Sequence, residues 1–139
     1  MSENKISRES AELQIQEMFD YFLLDKEDIA NEEGEEVLNT VMNMLTRGIQ
    51  KGLLEITTED GLKVTQHLKQ EIDGISKIEY IDKVAKAKIA MGTSKSKNAQ
   101  LRMNEFMSTL GDVPVQVLAK MQGADLTIFG RVALVFSMV

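Results

Sequence analysis

The stretch from Leu53 to Leu68, LLEITTEDGLKVTQHL, restricts the fold more than any other part of the chain. Two runs of alternating apolar and polar residues flank Glu59-Asp60-Gly61, the pattern of an antiparallel hairpin. A two-residue turn at Asp60-Gly61 would set Thr57 opposite Val64 and Glu59 opposite Leu62, splitting the apolar side chains between the two faces. A three-residue loop with Gly61 left-handed pairs Thr58 with Leu62, Ile56 with Val64 and Leu54 with Gln66. Leu54, Ile56, Leu62 and Val64 then share one face, with Glu55, Thr57, Lys63 and Thr65 on the other. A one-residue slip would destroy that separation, so the three-residue loop is preferred. A lone two-stranded hairpin is marginal in water. It must pack on helices, or gain a third strand from its own chain or another copy.

Helical spacing dominates the rest. Ile15, Met18, Phe19, Phe22 and Leu23 form one stripe, which predicts a helix from about Ser7 to Leu24 with Ser7 or Ser10 as its cap. DKEDIANEEGEE, residues 25–36, reads as a polar connector with Asn31 as the N-cap of a second helix. Val37, Leu38, Val41, Met42, Leu45 and Ile49 form that helix's stripe, and Gly52 suits a left-handed end. Two amphipathic helices with a short connector predict an antiparallel helical hairpin. Helix is expected again from Ile72. Ile78, Ile81, Val84, Ala85 and Ile89 give a stripe between Ser76 and Met91, although ISKIEYI also has strand character. GTSKSKN, residues 92–98, is a basic loop without the pattern of a phosphate-binding loop. Met103, Phe106, Met107 and Leu110 mark a helix closed by Gly111. Pro114 starts a short helix ending at Gly123. Asp125 caps a last helix bearing Leu126, Phe129, Val132, Ala133 and Phe136. The fold expected is mainly helical, of the α+β class, in one domain of 1–139. Its parts are an acidic helical hairpin (1–52), a β-hairpin (53–72) and a C-terminal cluster of helices (73–139).

Charge is unevenly distributed along the chain, whose net charge is −6. Residues 1–36 hold twelve acids against three cations, whereas 83–102 hold six cations and no acid. Overall acidity argues against a general nucleic-acid binder. The two stretches are instead able to attract each other, within a chain or between copies, in a salt-dependent way. The absence of cysteine excludes thiolate chemistry and fits a reducing compartment. No apolar run approaches the ~18 residues of a spanning helix, and the polar start lacks a signal-peptide core.

Catalytic patterns are missing. His67 is the only histidine and has no clustered ligand partners in sequence, which argues against zinc. No Gly-x-Ser-x-Gly elbow is present, and the acids of 1–36 read as a solvated face. An enzyme, a cofactor and a metal are therefore not expected. Nine methionines and few aromatics suit adaptable apolar packing, in a core or on a binding surface. Phe106, Met107, Met121, Phe129 and Phe136 offer more apolar side chain than three short helices easily bury among themselves. They are the candidate partner-binding residues, or the support for that surface.

The segment LRMNEFMSTLGDVPVQVLAKMQGADLTIFGRVALVF, with the hairpin before it, resembles the bacteriophage tail assembly chaperones over residues 52–136. The matching positions are Leu110, Val113, Pro114, Leu118, Ala124, Asp125, Val132 and Phe136. The pattern is a helix, a short Pro-started helix and an Ala-Asp-led final helix ending in Val-x-x-Phe. Two departures are the acidic N-terminal helices and the missing proline at the hairpin exit. The resemblance implies a homo-oligomeric, non-virion assembly factor of the host cytoplasm, without membrane or nucleic-acid partner. Such proteins bind the helix-rich tape-measure protein, assist tail-tube subunits to gather around it, and often have a longer frameshifted form. A small structural or adaptor subunit of a larger assembly is the alternative.

Overall fold

Ser7 begins the first helix because its hydroxyl accepts the Ser10 N–H at 3.1 Å, satisfying a donor that the helix start leaves unpaired. The computed structural model describes residues 6–92 and 98–139; most of the basic loop GTSKSKN lies outside them. Helix α1 (Arg8–Tyr21) buries Ala11, Ile15, Met18 and Phe19. Phe22 is half-buried and Leu23 stands in solvent, so the expected stripe ends one turn early. The polar connector is itself helical. Asp25 and Asp28 form a reciprocal cap on α2 (Lys26–Glu33), which is held down by fully buried Ile29. Asn31 therefore lies inside α2. The break falls at Gly34, whose φ of 100° no other residue type tolerates well, and α3 (Glu35–Gln50) follows. Both α1 and α2 pack on α3, making a three-helix unit where two helices were expected. Val41, Leu45 and Ile49 are its buried stripe, and Gly52 is left-handed as expected.

The hairpin has the predicted register. Strands β1 (Leu54–Thr57) and β2 (Lys63–Ile72) pair Leu54 with Gln66 and Ile56 with Val64, around Gly61 at φ 89°. Leu54, Ile56, Leu62 and Val64 are all buried. The third strand comes from the same chain: β3 (Ile75–Ile81) pairs antiparallel with β2, in the order β1-β2-β3. This corrects the helix expected across Ser76–Ile81 and moves the boundary at residue 72. Asp73 and Gly74 both have positive φ, the geometry of a two-residue hairpin turn, and Ile72 faces Ile75 across it. Ile78 and Tyr80 are buried at strand spacing, while Ile81 is half-exposed.

Helices cover one face of the sheet. α1 and α3 pack on β1, α5 (Ala99–Gly111) on β3, and α7 (Gly123–Ser137) on both β2 and α3. The other face carries Glu55, Lys63, His67 and Glu79, with Lys63 and Glu79 paired at 3.3 Å. α4 (Val84–Gly92) buries Val84 and Ala87 and packs on α5, leaving Ala85 and Ile89 outside. Pro114 precedes α6 (Val115–Ala119), which ends before Met121. Gly123 opens the last helix instead of closing the short one. The last helix forms as expected and runs to Ser137, but Leu126 faces solvent.

Gly111 is the last residue of α5, and Asp112 takes the left-handed position after it. A Cβ at Gly111 would lie 2.7 Å from Ile78 Cγ2 and 3.2 Å from the Tyr80 ring. Gly111 therefore lets the end of α5 approach β3. By contrast, a Cβ at Gly130, within α7, meets nothing within 4 Å. Gly111→Ala should destabilise the fold by about 1–3 kcal/mol through forced displacement of β3. Gly130→Ala should stabilise it by roughly 0.5–1 kcal/mol through helix propensity. Urea denaturation of both variants checks the opposite signs.

Candidate functional site

The five residues expected to bind a partner are in the core. Phe106, Met107 and Phe136 are fully buried, Phe129 is 1% exposed and Met121 4%. Their helices do not have to cover one another, because the sheet and α3 supply the opposing surface. Phe22, the C-cap of α1, also meets Phe136 edge-on, with ring centroids 5.5 Å apart. Burial excludes the five residues as direct contacts and leaves the other role expected of them, support from within the core. Met18 is buried too, and Met42, Met44 and Met103 are half-buried, so core filling accounts for much of the methionine content.

One cluster of buried polar groups needs a chemical reading, since such groups often mark active sites. Gln66, on β2, accepts from the Tyr80 hydroxyl at 3.0 Å and donates to the Asp125 backbone carbonyl at 2.8 Å. The Asp125 carboxylate accepts the Lys69 N–H at 2.8 Å and the Gln70 N–H at 3.2 Å. Those amides fall where β2 loses register with β3, between His67 and Ile72. Asp125 thus anchors α7 to the sheet irregularity and does not cap its own helix, whose N-cap is Gln122. Burial pushes the Tyr80 phenol well up, keeping it a neutral donor. Each group spends its hydrogen bonds on a neighbour, and the cluster reads as a structural tie.

His67 is half-exposed, with Nε2 4.0 Å from Glu55. Among the described residues no group of His, Cys, Asp and Glu is placed to hold a metal ion. No helix among them is long and apolar enough to cross a membrane.

Two surface concavities contrast in charge. A cleft of about 560 Å³ at the hairpin tip is lined by Tyr21, Glu59, Asp60, Leu62, Lys63 and Asp82, among others. The Tyr21 hydroxyl donates to Asp82 at 3.0 Å, and that bond raises its phenol above the ordinary value. At the far end of β1 and β2 lies a smaller groove of about 140 Å³. Met44, Leu53 and Ile128 give it apolar walls, and Arg47, Lys51 and Lys69 surround it without an acid. No acid among the described residues pairs with these three cations. Sequence reading missed the set because the cations come from α3, the turn after it and the irregular part of β2.

Large apolar side chains left in solvent include Leu13, Leu23, Ile89, Leu101 and Leu126. Leu23 is the extreme, at 92% exposure and φ 55°. Its N–H bonds Asp20 O at 3.1 Å, and the Leu24 N–H bonds Phe19 O at 2.8 Å. That pair of bonds ends α1 in a Schellman motif, whose left-handed position normally holds glycine. A leucine there costs on the order of 1 kcal/mol in backbone strain and gains no burial.

No family model, curated protein or solved structure matches the chain.

Asp125→Ala should destabilise the fold by about 2–4 kcal/mol, because two charge-assisted bonds vanish and two amides lose their acceptor. Asp125→Asn retains one acceptor oxygen and should fall between. Denaturation with far-ultraviolet circular dichroism checks the order, and faster hydrogen exchange at Lys69 and Gln70 should accompany the loss.

Proposed function

We propose that the chain is a bacteriophage tail assembly chaperone. It covers a long helical tape-measure protein until tail-tube subunits gather around it, working in the host cytoplasm without a cofactor. The observation that carries this reading is the role taken by the positions of the resemblance. Pro114 stands at the start of α6, and Asp125 ties α7 to the sheet. Leu110, Leu118, Val132 and Phe136 are core. The order helix, short Pro-started helix and Ala-Asp-led final helix is that of α5, α6 and α7.

With the five aromatic and methionine positions buried, the client surface has to be sought elsewhere. α4 and α5 pack together and leave Ile89 69% and Leu101 43% exposed. Lys83, Lys86, Lys88 and Arg102 lie on the same two segments, and no acid occurs from 83 to 104. A basic surface studded with apolar side chains suits the face of an acidic amphipathic helix, held in the helix-in-groove manner.

The test is co-expression with a tape-measure protein. The double variant Ile89→Glu, Leu101→Glu should keep its circular dichroism and leave the client insoluble. Met107→Glu should lose the fold itself, since an unpaired carboxylate cannot be buried cheaply. If the double variant still keeps the client in solution, α4 and α5 are not the client surface. Mass spectrometry of finished particles should find the chain absent. Its retention there would mark a structural or adaptor subunit instead.

A further inference from the structure

We propose that copies of the chain join head to tail, Leu23 of one copy entering the groove among Arg47, Lys51 and Lys69 of the next. The knob is built at a cost to its own molecule. Leu23 is 92% exposed at a left-handed position, and no contact within the chain repays either feature. Asp20, Asp25 and Glu27 stand around it in sequence, exposed and in no ion pair with a described residue.

The groove is the complement in both respects. It has apolar walls from Met44, Leu53 and Ile128, and three cations that form no ion pair with a described residue. Its volume of about 140 Å³ suits one apolar side chain. That is well below the roughly 300–1,000 Å³ of ordinary small-molecule sites. The apolar walls argue against a bare phosphate, which would gain nothing from them. A leucine with exposed acidic residues beside it in sequence meets both demands.

Position makes the contact intermolecular. Leu23 follows Tyr21, which is bonded to Asp82 just beyond Ile81, and Ile81 pairs with Lys63 at the start of β2. The groove holds Lys69, six residues further along that strand, or about 20 Å at strand rise. A molecule cannot fill its own groove with its own Leu23. Knob and groove are different surfaces, so the contact is heterologous and repeats into rings or open chains. The inference goes beyond the chaperone reading and holds whatever the client is.

Sedimentation velocity on the whole chain tests it. The wild type at tens to hundreds of micromolar should form multimers that shrink as salt is raised, because screening acts within about 8–10 Å at moderate ionic strength. Leu23→Gly should be monomeric at the same concentrations, with a melting temperature equal to or above that of the wild type. Lys51→Glu should also be monomeric, with Arg47→Glu as the second groove variant should the first lose its circular dichroism. An equimolar mixture of Leu23→Gly with the groove variant should form dimers and stop there. One intact knob and one intact groove remain in that pair, enough for a single contact. A monomeric wild type, multimers in Leu23→Gly, or a mixture that stays monomeric or grows past the dimer would each overturn the proposal. A monomeric wild type would leave the groove to a partner of another kind.

Discussion

The carboxylate of Asp125 joins the irregular part of β2 to the first turn of α7, and the position of α7 depends on it. Where β2 loses its register with β3, the amides of Lys69 and Gln70 bond to Asp125. Buried or half-buried amides without acceptors are costly, so a strand cannot deviate in this way without a substitute partner. Asp125 is that partner, and it stands in the first turn of α7, where a negative charge also suits the helix dipole. The same residue's carbonyl accepts from Gln66, which in turn accepts from Tyr80. One short segment thus fixes α7 against β2 and orients the polar part of the sheet's buried face. α7 also packs on α3, so the tie links the N-terminal helices to the sheet by a second route beside their own packing on β1.

The hairpin register was legible because only one loop length puts Leu54, Ile56, Leu62 and Val64 on one face. The third strand had an equally strong signal that helical spacing masked. Asp73-Gly74 between Ile72 and Ile75 is the favoured dipeptide of a two-residue hairpin. Ile72, Ile75, Ile78 and Ile81, however, recur every third residue and imitate a helical stripe. Period three agrees with period two only at alternate members, and buried Tyr80 is the residue that separates the patterns. The missed helix α2 has another cause. With a single buried apolar residue, Ile29, it has almost no periodicity to read, and its cap at Asp25 was the only local sign.

Periodicity identifies which side chains leave water, but not what they meet when they do. Phe106, Met107, Met121, Phe129 and Phe136 all leave water. Their cover is the third strand and α3, neither of which was visible as a neighbour of α5 and α7 in sequence. Surface sites have the opposite difficulty. Arg47, Lys51 and Lys69 are ordinary exposed cations in sequence and converge only because β2 runs back beside the end of α3.

Leu23 shows where a sequence departs from what its own fold would choose. The Schellman turn closing α1 is complete in its hydrogen bonds, and buried Leu24 follows as the motif prefers. Glycine at residue 23 would keep every one of those bonds without the strain of a side chain at positive φ. Folding therefore gives no reason for leucine, and solubility gives a reason against it. A local rule broken with no compensating gain inside the molecule is expected at functional positions. Among the described residues the two other non-glycine residues with positive φ are Asp73 and Asp112, and aspartate is among the few types that tolerate the left-handed region. Asp73 also binds Lys120 across the surface at 2.8 Å, so its position is used within the chain. Leu23 alone of the three has neither excuse: it is not a residue type that tolerates the left-handed region, and its side chain stands in solvent.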